Sequence, residues 1–211
     1  MEPSTKRFTL LAEGPSDESL LPILLWLWRQ HRPTDELIEA QFVDPGYINI
    51  ASRRLVDQLK PACDLYPCDV LFIHRDADRE SPDTRASQIS NSIKDAFTNE
   101  LAPRAVCVIP VRMTEAWLLF HEPALRKAAD DPNGQQPLDL PTFSQIERLP
   151  NPKLTLREVL RAASGLPPHR LRRFRADRAA RLVSQFIGDF SPLRKLNAFR
   201  RLEKEFAELA F

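Results

Sequence analysis

The chain has 211 residues, enough for one well-buried domain with a smaller additional part. Its 30 basic and 29 acidic side chains leave a net charge of +1, so no overall field selects a nucleic acid or an anionic membrane. The longest apolar run, residues 20–27, is too short to cross a bilayer, and Lys6-Arg7 leads straight into an apolar strand without a signal segment. We therefore expect a soluble, cytoplasmic protein with no membrane partner.

Apolar strand patterns alternate with helical patterns through the first half of the chain. Such alternation with short connections favours a parallel sheet with right-handed crossovers. Pro22 is difficult to place inside a helix because proline removes a hydrogen bond there, so the first helix either begins near Ser19 or kinks at Pro22. The predicted strands are 7–12, 39–44, 70–74 and 105–111, and the helices between them are 16–32, 51–60 and 84–101.

From residue 113 onward the pattern is helical. Helices are predicted at 123–129 and 151–163, another begins at Pro168, and Ser191-Pro192 begins the last one. The sequence thus predicts an α/β fold. A Rossmann-like parallel sheet of about four strands with flanking helices occupies residues 1–112, and an α-helical C-terminal region, residues 113–211, packs on it.

Acidic residues follow two of the predicted strands. Glu13 lies where the first strand ends, Asp17 lies one helical turn further on, and Asp76 and Asp78 follow the third strand. The carboxyl ends of parallel strands share one sheet edge, where open α/β sheets place their sites. The alternative is that these acids are ordinary turn and first-turn residues. Taken together, they favour a site for a hard cation such as Mg²⁺.

Two motifs carry a resemblance to a known family. The segment 13–18 with Leu20-Leu21, followed after the third strand by Asp76-Ala77-Asp78, resembles the Toprim domain of topoisomerases, primases and related nucleases, over about residues 6–115. An acid four residues after the glutamate is similar to the nuclease branch typified by the overcoming-lysogenisation-defect proteins. The segment 111–119 resembles small stand-alone Toprim-like proteins, some of them linked to phage defence.

The resemblance implies roles for individual acids. Glu13 matches the Toprim glutamate, a metal ligand or general acid/base, and Asp76 and Asp78 match the metal-binding pair. Asp17 would be a ligand of a second metal ion, and Glu115, just after the fourth strand, is a further candidate for that second site. One departure is His74-Arg75, where many relatives carry apolar residues. It makes the pocket more cationic and phosphate-seeking, or else it weakens metal binding.

Arginines are concentrated in residues 169–181. Arginine suits bidentate phosphate contact, which supplies affinity independent of base sequence. The alternative is a solvated helix face. Lys153, at a helix start, could contact the scissile phosphate or be an ordinary surface lysine. The predicted nucleic-acid contacts are Arg75, Lys153, Arg170, Arg172, Arg173, Arg175 and Arg178.

These observations predict a Mg²⁺- or Mn²⁺-dependent phosphodiesterase, an endonuclease on DNA or RNA. Water is the expected nucleophile, since no tyrosine lies near these acids in the sequence. The alternative is a non-catalytic or partner-activated subunit of an ATPase-linked defence complex, with the last helix as its exposed apolar interface and oligomerisation left open. A haloacid-dehalogenase phosphatase is disfavoured, because its Asp-x-Asp motif follows the first strand.

Overall fold

The computed structural model describes residues 5–32, 37–46, 52–78 and 80–209 of the chain. A four-stranded sheet lies at its centre, and all of its strand pairs are parallel. In the order β2-β1-β3-β4, the strands are β1 (Thr5–Leu11), β2 (Leu37–Val43), β3 (Val70–His74) and β4 (Ala105–Val108). This confirms the predicted α/β fold. The fourth strand ends earlier than predicted, before Ile109-Pro110, since proline cannot donate to the ladder.

Helices connect the strands and form the rest of the chain. In the α/β part they are α1 (Leu21–His31), α2 (Leu55–Leu65) and α3 (Pro82–Ala96). The later ones are α4 (Glu122–Ala128), α5 (Phe143–Ile146), α6 (Pro152–Ala163), α7 (Pro168–Leu171), α8 (Ala176–Val183) and α9 (Asn197–Ala207). Short 3₁₀ turns span Pro15–Leu20, Thr114–Leu118, Ser184–Phe186 and Ser191–Lys195.

Pro22 lies in the first turn of α1, where its missing N–H removes no helical hydrogen bond. The predicted helix at 16–32 is therefore two elements, a 3₁₀ turn followed by the α-helix. This answers the choice left open by the sequence, because the helix proper begins at Leu21 and needs no kink at the proline. The 3₁₀ turn brings Asp17 back toward the end of β1.

The sheet is covered on both faces. Phe8 and Phe72 on one face pack against Trp28 of α1 and Phe206 of α9, with ring centroids 5.3–5.9 Å apart. On the other face, Leu71 belongs to a second buried cluster formed with α2 and α3. Burial on both faces explains why β3 is apolar at four consecutive positions. It also fixes the strand register that positions the residues after each strand.

The last helix packs against the molecule. Phe199, Leu202 and Phe206 of α9 are at most 1% exposed, and Glu205 accepts a hydrogen bond from the backbone N–H of Cys107 on β4 at 3.0 Å. The suggestion that this helix exposes an apolar face to a partner is therefore wrong, because that face completes the main core. No helix in the described part of the chain is long and apolar enough to cross a membrane.

Candidate metal centre

The register of the sheet brings three chain segments together at its carboxyl edge. Leu11 pairs with Ile73 and His74 pairs with Val108, so the residues after β1, β3 and β4 meet there. Oε2 of Glu13 accepts a hydrogen bond from the backbone N–H of Asp76 at 3.0 Å. Ligand atoms of Glu13, His74 and Asp76 all lie within 4.8 Å of one another. These three residues are the candidate metal centre.

His74 is the member of this group that the sequence did not identify as a ligand. Its ring is fully buried, and Nδ1 donates to the carbonyl oxygen of Val108 at 3.0 Å. Because a carbonyl can only accept, Nδ1 carries a proton, and Nε2 is the ring atom that faces the acids. Nε2 lies 3.5 Å from Oδ1 of Asp76, 3.6 Å from Oδ2 of Asp17 and 3.2 Å from Oγ1 of Thr114. Metal-binding histidines are commonly oriented by such a second hydrogen bond.

Asp76 is placed where a negative charge is costly. Its Oδ1 atom is buried and accepts no hydrogen bond from the residues that the structure describes. Burial, followed by the negative charges of Asp17, Glu13, Glu115 and Asp78, raises the pKa of its carboxyl to about 8. A carboxylate with an unfilled acceptor among like charges is stabilised by a cation. The donor set therefore fits a divalent metal ion.

Asp17 closes the turn after β1. It is 7% exposed, and its Oδ2 accepts hydrogen bonds from the backbone N–H groups of Glu13 and Gly14 at 3.2 and 3.0 Å. These bonds fix the direction in which Glu13 leaves the strand. Asp17 lies beside the centre as predicted, but the structure gives its carboxylate a second role as the acceptor that holds the turn.

The remaining predicted ligands lie around the centre and outside the three-residue group. Asp78 is exposed and has a left-handed backbone with φ 54°. Glu115, in the 3₁₀ turn after β4, lies with Oε1 3.6 Å from Nζ of Lys153 at the start of α6. Both acids are close enough for their charges to raise the pKa of Asp76. Their predicted role as ligands stays a prediction.

Arg75 is buried and bonded within the protein. Its Nη1 donates to the carbonyl oxygens of His74 and Ala12 at 2.7 and 3.3 Å, and Nη2 donates to Gln58 at 2.7 Å. Nε lies 3.7 Å from Oε1 of Glu13. Because these donors are bonded inside the protein, the guanidinium has little room for a phosphate. Its contact with Glu13 instead helps to position that carboxylate.

The predicted arginine contacts lie on the helical half. Arg170, Arg172, Arg173, Arg175 and Arg178 are exposed, between the start of α7 and the first turns of α8. Among the described residues, none of the five lies within 4.0 Å of a carboxylate oxygen. Lys153 forms an ion pair with Glu115, one of the acids around the centre.

Comparison of the chain with models of protein families, with curated proteins and with solved structures gives no significant match.

Proposed function

We propose that this protein is a cytoplasmic, metal-dependent phosphodiesterase with a Toprim-like core, acting on DNA or RNA with Mn²⁺ or Mg²⁺. The observation that carries the proposal is the group formed by Glu13, His74 and Asp76, with a buried Asp76 oxygen that accepts no hydrogen bond from the described residues. Carboxylate and imidazole groups at this spacing form a ligand set for a divalent ion.

Different residues of the chain would have different roles around such an ion. The buried His74 and the partly buried Asp76 would be the inner ligands, and Glu13, whose side chain is 45% exposed, would be the ligand nearest to solvent. Glu13 is held by Asp76 and Arg75, which places its carboxylate to bind the ion or to accept a proton from attacking water. When bound, the ion would stabilise negative charge on the phosphodiester and lower the pKa of water.

Cationic groups next to the acids suit a phosphate substrate. Lys153 and Arg157 line a cleft of about 340 Å³ together with Ser16 and Glu115, and the charge of Glu115 acts on Asp76. Acids alone would repel a phosphodiester, whereas a metal ion would neutralise it together with these two cations, which would exchange their carboxylate partners, Glu115 and Asp177, for phosphate oxygens. This pairing of metal ligands with phosphate-binding cations supports phosphodiester chemistry over simple metal storage.

The test is calorimetric titration of Mn²⁺ and Mg²⁺ into the wild type, with cleavage assays on single- and double-stranded DNA and RNA. We expect Asp76→Ala to lose metal binding and cleavage together. The matched control is Asp95→Ala, an exposed acid on α3 away from the centre, which should behave as wild type.

The outcomes separate the hypotheses. Binding that survives in Asp76→Ala, or no binding in the wild type, would mean that these acids serve only the turns. Metal binding without cleavage of any substrate would overturn the autonomous enzyme and favour the partner-activated subunit.

A further inference from the structure

Three surface clefts lie along α6, α7 and α8, and the first of them reaches Glu115, whose charge raises the pKa of Asp76 in the candidate metal centre. The first, of about 340 Å³, includes Glu115, Arg157 and Arg181. The second, of about 680 Å³, shares Arg157 and Arg181 with the first. The third, of about 1030 Å³, shares Phe174 and two arginines with the second. Neighbouring clefts share these lining residues, and we call the three clefts together the arginine groove. Its arginines are Arg157, Arg161, Arg170, Arg173, Arg175, Arg178 and Arg181.

The groove is strongly basic although the chain as a whole is nearly neutral. Asp177 is the acidic residue that lines the second cleft, and its Oδ1 accepts a hydrogen bond from Nε of Arg157 at 2.6 Å. The other groove arginines lie more than 4.0 Å from every carboxylate oxygen in the described part of the chain. Their guanidinium groups are therefore available to phosphates, and their spacing along the path suits a chain of phosphates better than a single anion. Of the arginines predicted from sequence, Arg172 is exposed but lines none of the three clefts.

An aromatic ring interrupts the row of arginines. Phe174 is half-buried and lines both the second and the third cleft, with Arg175 and Arg178 beside it in each. Phosphate-tracking cations with an interleaved aromatic side chain are the features that bind single strands, whose unstacked bases can stack on a ring. In a duplex the bases are stacked on one another and cannot reach Phe174. The cleft volumes are those of sites that hold drug-sized molecules, a scale that suits a few nucleotides of one strand.

We infer that the arginine groove binds single-stranded nucleic acid and leads it to the metal centre. One part of the inference, that the strand leads toward the metal centre, rests on the proposed function. Glu115 and Ser16 form the end of the groove nearest to Asp76. A base stacks on Phe174, Arg175 and Arg178 contact the phosphates on either side of it, and Arg181, which also lines the first cleft, receives the phosphodiester next to the acids. Stacking on a ring and contact with phosphates do not read the edges of the bases, so binding depends little on sequence.

The experiment is fluorescence anisotropy of a labelled single-stranded oligonucleotide, in DNA and RNA versions, against the blunt duplex of the same sequence. Buffers contain EDTA, so that binding is measured without metal and without cleavage. We expect the single strand to bind at least about tenfold more tightly than the duplex. Phe174→Leu keeps an apolar side chain and should weaken single-strand binding about tenfold, the loss of one stacked base, with little effect on the duplex.

The charge contribution is tested with a double variant. Arg175→Gln with Arg178→Gln should lower the slope of log affinity against log salt by about 1.4, since each phosphate contact to a single strand contributes about 0.7. The matched control removes two exposed cations elsewhere, Arg29→Gln on α1 with Lys94→Gln on α3, and should leave the slope unchanged.

Equal affinity for strand and duplex, or equal slopes for the two double variants, would overturn the inference. Neither result would affect metal binding or cleavage by the centre, so the proposed function is judged separately. A binding preference for DNA over RNA, or the reverse, identifies the substrate within the inferred class.

Discussion

The carboxyl of Asp76 shows how a site for a cation can reduce the stability of the metal-free fold. Its pKa is raised to about 8 by burial and by the charges of Asp17, Glu13, Glu115 and Asp78, and the ring of His74 also faces it. The folded state therefore holds a proton on Asp76 that the unfolded state has released. Between about pH 4 and pH 8 this group makes stability fall as pH rises.

Asp76→Asn should accordingly raise stability at pH 7 in EDTA. Each pKa unit corresponds to about 1.4 kcal/mol, and rearrangement of the neighbouring acids reduces the total, so we expect about 1–3 kcal/mol. For a chain of this size, that raises Tm by about 2–4 °C per kcal/mol. Thermal unfolding at pH 5 and pH 7 measures this gain in stability, which should be smaller at pH 5. Asp177→Asn is the control, and it should lower stability at pH 7 instead of raising it. Its hydrogen bond with Arg157 lowers the pKa of this exposed acid, so the charged form contributes to stability.

The imidazole of His74 should determine which ion binds. Mg²⁺ strongly prefers oxygen ligands, whereas transition ions such as Mn²⁺ accept nitrogen as well. We expect the wild type to bind Mn²⁺ more tightly than Mg²⁺, and His74→Gln, which offers oxygen in place of nitrogen, to reduce that preference about tenfold. Calorimetry with both ions measures the ratio. An unchanged ratio would show that His74 is not a ligand and only supports the acids.

The turn between β1 and α1 positions Glu13, and Asp17 holds that turn. Its Oδ2 accepts two backbone hydrogen bonds, which an asparagine oxygen can also accept but an alanine cannot. Comparing two neutral substitutions separates these bonds from the charge repulsion with Asp76. Asp17→Ala should be less stable than Asp17→Asn by about 1–3 kcal/mol, the cost of leaving buried donors unsatisfied. Urea unfolding of the pair tests this, and equal stabilities would show that the turn holds without the acceptor.

Elements differ in how much of the site their sequence reveals. The strands ending before Glu13 and Asp76 are apolar runs, so the acids at the shared edge could be predicted. The place of His74 in the candidate metal centre could not, because its orientation depends on a hydrogen bond from Nδ1 to Val108, 34 residues away on another strand. The signal for His74 that the sequence did contain was its position at the end of a fully buried strand. Arg75 was misleading for a related reason, since its partner Gln58 on α2 becomes visible only once the helices pack.

At the scale of the molecule, the α/β and helical parts share one core. Phe206 of α9 is fully buried, and its ring lies 5.6 Å from that of Phe72 on β3 and 5.4 Å from that of Trp28 on α1. The same buried cluster includes Trp117 and Leu160 from the C-terminal region. The boundary predicted at residue 112 therefore separates two sequence patterns that fold around common side chains, and the two parts should unfold together.

Phe206→Ala tests this shared core. Truncating a fully buried phenylalanine costs about 3–5 kcal/mol, because apolar contact is lost and a cavity remains. If the core is common, urea unfolding followed by tryptophan fluorescence and by far-UV circular dichroism should shift to a lower midpoint in one coincident transition. Leu101→Ala, at a side chain that is 96% exposed, should stay within about 0.5 kcal/mol of wild type. Two separate transitions would instead mean that the sheet retains its fold without α9, and the metal centre at its edge could then be studied in residues 1–112 alone.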